Sequence, residues 1–125
     1  MRFLALDIGG TRTGIAFGDS DDDIVMAKDT CTHASIDELI DHIQSVVRDM
    51  NIERLYIGLP LLPDGTEGEQ AQWTKEIAQT LQTKTGISVQ YIDERYTSTP
   101  DPLCKDDDAM SACKIADIAL AMLKK

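Results

Sequence analysis

Residues 4–19 read LALDIGGTRTGIAFGD and decide the fold of this chain. An apolar run ends in Asp7, two glycines follow, and the apolar pattern resumes at Ile15. This pattern predicts two β-strands joined by a Gly-rich turn. A carboxylate at the end of an apolar strand must be offset by a partner, because an unpaired charge shielded from water is costly. Either another residue of the chain pairs with this carboxylate, or the chain binds a cation there.

The spacing of the apolar residues predicts three further strands and three helices. In chain order they are a strand over 24–30, a helix after Ser35, a strand over 54–60, a helix that ends near Gly86, a strand over 87–95 and a helix that closes the chain. Ser35 with Glu38, and Thr66 with Glu69, have the spacing of capping boxes, which predicts where the first two helices begin.

This order of elements predicts an α/β fold. Since helical crossovers between parallel strands are right-handed, the expected sheet has five strands in the order 3-2-1-4-5. Strand 2 is antiparallel to its neighbours, so the sheet is mixed, and helices flank it. Such an arrangement is ribonuclease H-like. We expect one such domain over residues 1–125, since this length and 42% hydrophobic residues suit a single core.

Composition limits the classes of function. The chain carries 22 acidic and 12 basic residues, a net charge of −10, which argues against tight nonspecific binding to DNA. No apolar stretch is long enough to span a membrane, and the first residues lack the pattern of a secretory signal, so we expect a cytoplasmic protein with no membrane partner. Three cysteines without paired close spacing argue against a disulfide framework or structural zinc.

Most acidic residues have a simple explanation. The runs at 21–23 and 106–108 fall in a predicted turn and before a predicted helix, where carboxylates are solvated or cap the helix. Asp7 and Glu94 are different, because they end parallel strands at the carboxyl edge of the sheet, where open α/β sheets bind ligands. Asp117 lies among apolar residues of the last helix, so it is either exposed at a cleft or offset by a cation.

Each of these three carboxylates has an alternative explanation. The amides of the turn at 9–10 could satisfy Asp7. A surface base such as Arg95 could pair with Glu94, and Asp117 could face solvent. Taken together, three carboxylates that converge near one sheet edge predict a site for hard divalent cations, which prefer oxygen ligands.

Four segments resemble the signature segments of a known family. They are LALDIGGTRTGIAFGD (4–19), LYIGLPLLPDGTEGEQAQ (55–72), YIDERYTST (91–99) and KIADIALAMLKK (114–125). In this combination and at these separations they resemble the YqgF/RuvX family of Holliday junction resolvases. That family is ribonuclease H-like and has members linked to trimming the precursor of the small-subunit ribosomal RNA. The resemblance spans nearly the whole chain.

The resemblance implies a metal-dependent nuclease that acts on branched DNA or structured RNA. In that chemistry two Mg²⁺ or Mn²⁺ ions activate water and stabilise the departing oxygen, and carboxylates hold the metals. By motif position, the catalytic and metal-binding residues are Asp7, Glu94 and Asp117. The residues expected to meet substrate phosphate are Thr11, Arg12 and Arg95. A resolvase makes two cuts, which favours a homodimer.

One segment departs from the family pattern. Between Glu94 and Asp117 the family carries a helix and a basic stretch, whereas residues 99–108 contain two prolines and three consecutive aspartates. This departure keeps open a second interpretation, a catalytically weak ribosome-assembly factor that binds a basic protein. A third interpretation is an actin- or sugar-kinase-like nucleotide-binding domain, since LALDIGGTRTG also resembles a phosphate loop, but those enzymes close two domains around the nucleotide. His33 and His42 are expected in a loop and on an exposed helix face, with no assigned role.

Overall fold

The computed structural model describes residues 1–93 and 108–123. Its elements follow the predicted order. They are β1 (Arg2–Ile8), β2 (Arg12–Asp19), β3 (Ile24–Thr32), α1 (Ile36–Met50), β4 (Arg54–Leu59), α2 (Glu69–Thr85), β5 (Ser88–Asp93) and α3 (Asp108–Leu123). No helix in these two ranges combines the length and the apolar character needed to cross a membrane.

The five strands form one sheet in the order β3-β2-β1-β4-β5. β2 runs antiparallel to β1 and β3, while β4 runs parallel to both β1 and β5. The predicted strand order and directions are therefore confirmed. β3 extends to Thr32, two residues beyond the predicted end of that strand. The extension leads directly to His33, which is buried.

The start of α1 follows the predicted capping box. Ser35 is the N-cap, and its hydroxyl accepts a hydrogen bond from the Glu38 amide at 3.3 Å. The Glu38 carboxylate in turn accepts one from the Ala34 amide at 2.8 Å. Both bonds satisfy backbone donors that the helix itself leaves unpaired. The helix ends at Asn51, which adopts the left-handed conformation with φ 55°.

The capping box predicted for α2 is wrong. The N-cap of this helix is Gly68, which has no side chain to cap it. The Thr66 hydroxyl instead donates to the Asp64 carboxylate at 2.7 Å. This local hydrogen bond replaces the one that a capping box with Glu69 requires. The predicted end of the helix is confirmed, since Gly86 is the C-cap with φ 74°.

Alternation along β1 divides the core into two faces. Leu4, Leu6 and Ile8 point to the face covered by α1 and α2, whereas Phe3 and Ala5 point to the face covered by α3. We call these the α1/α2 face and the α3 face. The first is filled by leucine, isoleucine and valine side chains from all the elements that meet there. The second contains far smaller side chains apart from a few aromatic and isoleucine residues.

Small residues bring α3 close to the sheet. Gly14, Ala16 and Gly18 of β2 lie on the α3 face, because each is paired with a β1 residue of that face. The buried residues of α3 are Ala112, Ile115, Ala116 and Ala119. A Cβ atom at Gly18 would overlap the buried ring of Phe3. With so little side-chain volume between them, α3 packs across β1, β2 and β3.

Candidate active site at the carboxyl edge of the sheet

Asp7 is the second-to-last residue of β1 and lies on the α3 face. It shares this face with Phe3 and Ala5, which precede it at intervals of two residues. Its side chain is half-buried. β1 and β4 are parallel, so Asp7 stands at the edge of the sheet where both strands end. The predicted position of this carboxylate in the fold is thus the observed one.

Glycines flank Asp7 on both neighbouring strands. Gly14 of β2 is its direct partner across the antiparallel pair. On the other side, β1 and β4 pair in parallel as far as Leu6 with Ile57, and one further step along both strands brings Asp7 beside Gly58. Neither glycine places a side chain on the α3 face. Along the sheet, these two neighbouring positions therefore place no side chain beside the carboxylate.

The carboxylate of Asp7 has no hydrogen-bond or ion-pair partner among residues 1–93 and 108–123. The alternative in which the turn amides of residues 9–10 satisfy it is not observed. A half-buried carboxylate without a protein partner is electrostatically unfavourable, and a bound cation is one way to offset its charge. The carboxylate oxygens of Asp7 are the donors that a hard divalent ion prefers.

Thr11 and Arg12 lie at the same edge of the sheet. Thr11 is in the turn that joins β1 to β2, and Arg12 is the first residue of β2. Both side chains are exposed. Ile8 pairs with Thr13, so the turn follows Asp7 by a single residue of β1. The structure therefore places these two predicted phosphate contacts beside the candidate metal ligand.

Asp117 lies in the middle of α3 and is exposed. One helical turn further, Ala121 is exposed as well, so this side of the helix faces solvent. The buried side of α3 is formed by residues such as Ile115 and Ala119 and faces the sheet. Of the two predicted situations for Asp117, exposure is the observed one.

Glu94 and Arg95 lie outside the described residues, directly after β5 in the sequence. The last buried residue of β5 is Ile92, which packs on the α3 face. Among the described residues, no three His, Cys, Asp or Glu side chains are close enough together to bind one metal ion. Because Glu94 is outside that set, the predicted trio of carboxylates stays a prediction.

His33 is a residue of this edge that the sequence prediction missed. It lies between β3 and α1, in a loop as expected, but it is buried, since only 2% of its surface is exposed. Its Nε2 atom lies 3.0 Å from the Thr13 hydroxyl, and its backbone amide donates to the Thr11 carbonyl at 2.9 Å. A predicted third strand that continued to residue 32 would have indicated this burial. Residue 33 is two positions after Cys31, so it lies on the same side of the strand, and Cys31 packs against the α1/α2 core.

A second polar group lies between β3 and α1. His42 is half-buried rather than exposed, and its Nε2 atom is 3.9 Å from the Asp29 carboxylate.

Burial and the nearby negative charges of Asp29 and Glu38 raise the pKa of the Cys31 thiol above its usual value. This thiol is therefore protonated near neutral pH and is a poor nucleophile.

Comparison with known proteins agrees with this fold. A family described as RuvX, Holliday junction resolvase, matches residues 1–102. A protein of Crocosphaera subtropica named "Putative pre-16S rRNA nuclease" is 35% identical over 95 residues, which are 76% of this chain and 66% of that protein. A protein of the same name from Polaromonas is 33% identical over 128 residues, which cover 97% of this chain and 88% of its own length.

Among solved structures, RuvC of Thermus thermophilus in complex with a Holliday junction substrate superposes with a TM-score of 0.69. The match covers 99% of this chain and 96% of RuvC at 8% sequence identity, so it concerns the fold alone. The fold is ribonuclease H-like, as predicted. The chain belongs to the RuvX family of Holliday junction resolvases.

Proposed function

We propose that this protein is a metal-dependent nuclease that cuts phosphodiester bonds in structured nucleic acid, either branched DNA or the precursor of small-subunit ribosomal RNA. The observation that carries the proposal is the environment of Asp7. A half-buried carboxylate stands at the carboxyl edge of a ribonuclease H-like sheet, between Gly14 and Gly58, with no partner among the described residues. Membership of the RuvX family supports the same reaction class.

Asp7, Glu94 and Asp117 are the proposed metal ligands. Two Mg²⁺ or Mn²⁺ ions, when bound, supply an activated water and stabilise the departing oxygen. The carboxylates hold these ions and take no other part. Glu94 follows β5 directly and has the strand parity of Ile92, which lies on the same face as Asp7. Asp117 rests on motif position only, because its observed side of α3 faces solvent.

Thr11, Arg12 and Arg95 are the proposed substrate contacts. Arg12 is exposed at the start of β2, where a guanidinium can bind a phosphate with two parallel hydrogen bonds. Two divalent ions would locally offset part of the net charge of −10, and screening over about 8 Å at physiological salt separates this edge from distant carboxylates. A homodimer would place two such edges on one junction, as two cuts require.

The direct test is a cleavage assay on a labelled four-way DNA junction and on structured precursor RNA. Wild-type protein should cut one of them only with Mg²⁺ or Mn²⁺, and Asp7→Asn and Glu94→Gln should abolish the cut while remaining folded. Asp22→Asn, in the exposed turn at the opposite edge, is the matched control and should retain activity. Wild-type protein that is inert on both substrates would overturn the proposal.

The same assay decides the third ligand. We compare Asp117→Asn with Asp108→Asn, the first residue of α3. Loss of cleavage in Asp117→Asn alone supports the proposed trio. Loss in Asp108→Asn with full activity in Asp117→Asn would contradict the role of Asp117 and move the third ligand to the start of the helix.

A second candidate function is a ribosome-assembly factor that binds a basic protein. A cleft of about 400 Å³ at the opposite end of the strands is lined by three carboxylates, Asp19, Asp22 and Asp49, and by one cation, Arg2. Such a surface is electrostatically complementary to a basic partner. Partner binding that weakens with salt and with Asp49→Asn, in a wild-type protein that cleaves nothing, would favour this function over the first.

A further inference from the structure

The turn between β1 and β2 is held by a residue from beyond β3. His33 makes two contacts with it: its backbone amide donates to the Thr11 carbonyl at 2.9 Å, and its Nε2 atom lies 3.0 Å from the Thr13 hydroxyl. These two contacts lie on either side of Arg12 along the chain. They extend the pairing of β2 with β3, in which Arg12 faces Thr32. The backbone of Arg12 is thus fixed from both directions.

The side-chain contact lies in the interior of the protein. Thr13 is fully buried and His33 is 98% buried, since 2% of its surface is exposed. The other ring nitrogen of His33, Nδ1, is buried with no hydrogen-bond partner among the described residues. The Thr13 hydroxyl is therefore the hydrogen-bond partner of this ring within the described structure. Removing one member would leave the other polar group buried and unpaired, which costs more than the net value of the bond.

We propose that His33 is a positioning residue for the active site. Its contact with Thr13 holds the turn that carries Thr11 and Arg12 at a fixed distance from Asp7, and so sets the geometry with which the protein meets substrate phosphate. The effect on cleavage rests on the nuclease proposal. The effect on the turn itself does not, because it follows from the two contacts and their burial.

Two kinds of variant separate the hydrogen bond from the shape of the side chain. Thr13→Val keeps the volume of the threonine and removes its hydroxyl. His33→Met keeps an apolar chain of similar length without a ring nitrogen, whereas His33→Gln places an amide where Nε2 stands and should restore the bond. Thr74→Val is the matched control, since Thr74 is also a buried threonine with a hydrogen-bonded hydroxyl, but in α2 on the α1/α2 face.

The first measurement is hydrogen exchange, by NMR, of the backbone amide of residue 33, which donates to the Thr11 carbonyl and so reports on the turn. Thr13→Val and His33→Met should speed its exchange by about tenfold, the scale set by one buried hydrogen bond. His33→Gln should stay within about threefold of wild type, and so should Thr74→Val. Unchanged exchange of this amide in Thr13→Val and His33→Met would overturn the proposal.

The second measurement is the cleavage kinetics of the same variants. Loosening the turn should raise KM by about fivefold and change kcat less, because Asp7 and the metal site are untouched. His33→Gln should rescue KM, which a purely structural role of the ring volume would not produce. A fall in kcat with unchanged KM would contradict positioning. If wild-type protein cleaves nothing, the nuclease proposal and the catalytic part of this one fail together, while the exchange data still decide whether His33 holds the turn.

Discussion

The two faces of the sheet differ in the size of their side chains. The α1/α2 face is filled with branched aliphatic side chains, among them Leu6 and Ile57, which are fully buried. The α3 face contains many alanines and glycines beside a few aromatic and isoleucine residues, and at the carboxyl edge it carries Asp7 between Gly14 and Gly58. One face supplies the apolar burial that holds the fold together. The other carries little side-chain volume, so α3 packs closely on the sheet and the strand neighbours of Asp7 have no side chains.

The division is sharpest along β1, where consecutive residues serve the two faces in turn. Leu6 is packed in the larger core, and its neighbour Asp7 faces the opposite side with no partner among the described residues. We therefore expect single substitutions one position apart to separate stability from the proposed metal binding. The following variants test that separation, in order of decreasing expected effect.

The largest effect is expected for Leu6→Ala. This removes a fully buried leucine from the larger core and should lower the free energy of unfolding by about 3–5 kcal/mol. Urea titration followed by circular dichroism measures it. Cleavage per folded molecule should stay close to wild type, because the change lies on the face away from Asp7. A large loss of that specific activity would show that the two faces are not independent.

Gly18→Ala should be the next most damaging change. The added methyl group would overlap the ring of Phe3, which is fully buried and cannot move aside, so we expect a loss of about 1–3 kcal/mol in unfolding free energy. Gly10→Ala is the matched control, since a Cβ there meets no atom within 4 Å. Adding Phe3→Leu to Gly18→Ala should recover part of the loss. Equal stability of the two glycine variants would refute tight packing on the α3 face.

Gly14→Ala should weaken metal binding. Its new methyl group would stand on the α3 face directly beside Asp7, so the affinity for Mn²⁺ should fall by about tenfold. Isothermal titration of folded protein measures this, with Gly10→Ala as a control at the same edge of the sheet. An affinity equal to that of wild type would contradict the role given to the missing side chain at Gly14.

The smallest effect concerns the α1/α2 face. The pKa of Cys31 is raised, so at a given pH near neutrality less of its thiol is ionised and alkylation is slow. Asp29→Asn removes one of the charges that raise this pKa, and should speed alkylation by about twofold to threefold. The rate with iodoacetamide is measured in a background where Cys104 and Cys113 are serine. A slower reaction in Asp29→Asn would contradict the assigned cause.

Much of the fold could be predicted because its signals are local or topological. Apolar periodicity gave the strands and helices, and the right-handedness of crossovers then fixed the sheet order. The prediction at Ser35 is confirmed because its hydroxyl accepts the Glu38 amide, whereas the prediction at Thr66 is wrong because the Thr66 hydroxyl donates to Asp64 instead. The local sequence does not show which of several possible hydrogen-bond partners a threonine or serine hydroxyl will choose.

The candidate site was predictable in part. Asp7 could be identified from the sequence because it ends an apolar strand and glycines follow it. The strand register, which places Gly14 and Gly58 beside Asp7, could be determined only from the structure. Asp117 illustrates the limit, because α3 is apolar on nearly every side and gives no amphipathic signal of which side is buried. His33 was missed because its burial depends on where β3 ends, and strand ends are poorly marked in sequence.

The central claim is that a divalent cation binds at Asp7, and Mn²⁺ titration followed by NMR tests it most directly. Paramagnetic Mn²⁺ broadens the signals of nearby nuclei. The amides of Gly14 and Gly58, which flank Asp7, should broaden first, before that of Gly18 at the opposite end of β2, and Asp7→Asn should abolish this order. Broadening that begins at Gly18, or a pattern that Asp7→Asn leaves unchanged, would place the cation elsewhere and contradict the account.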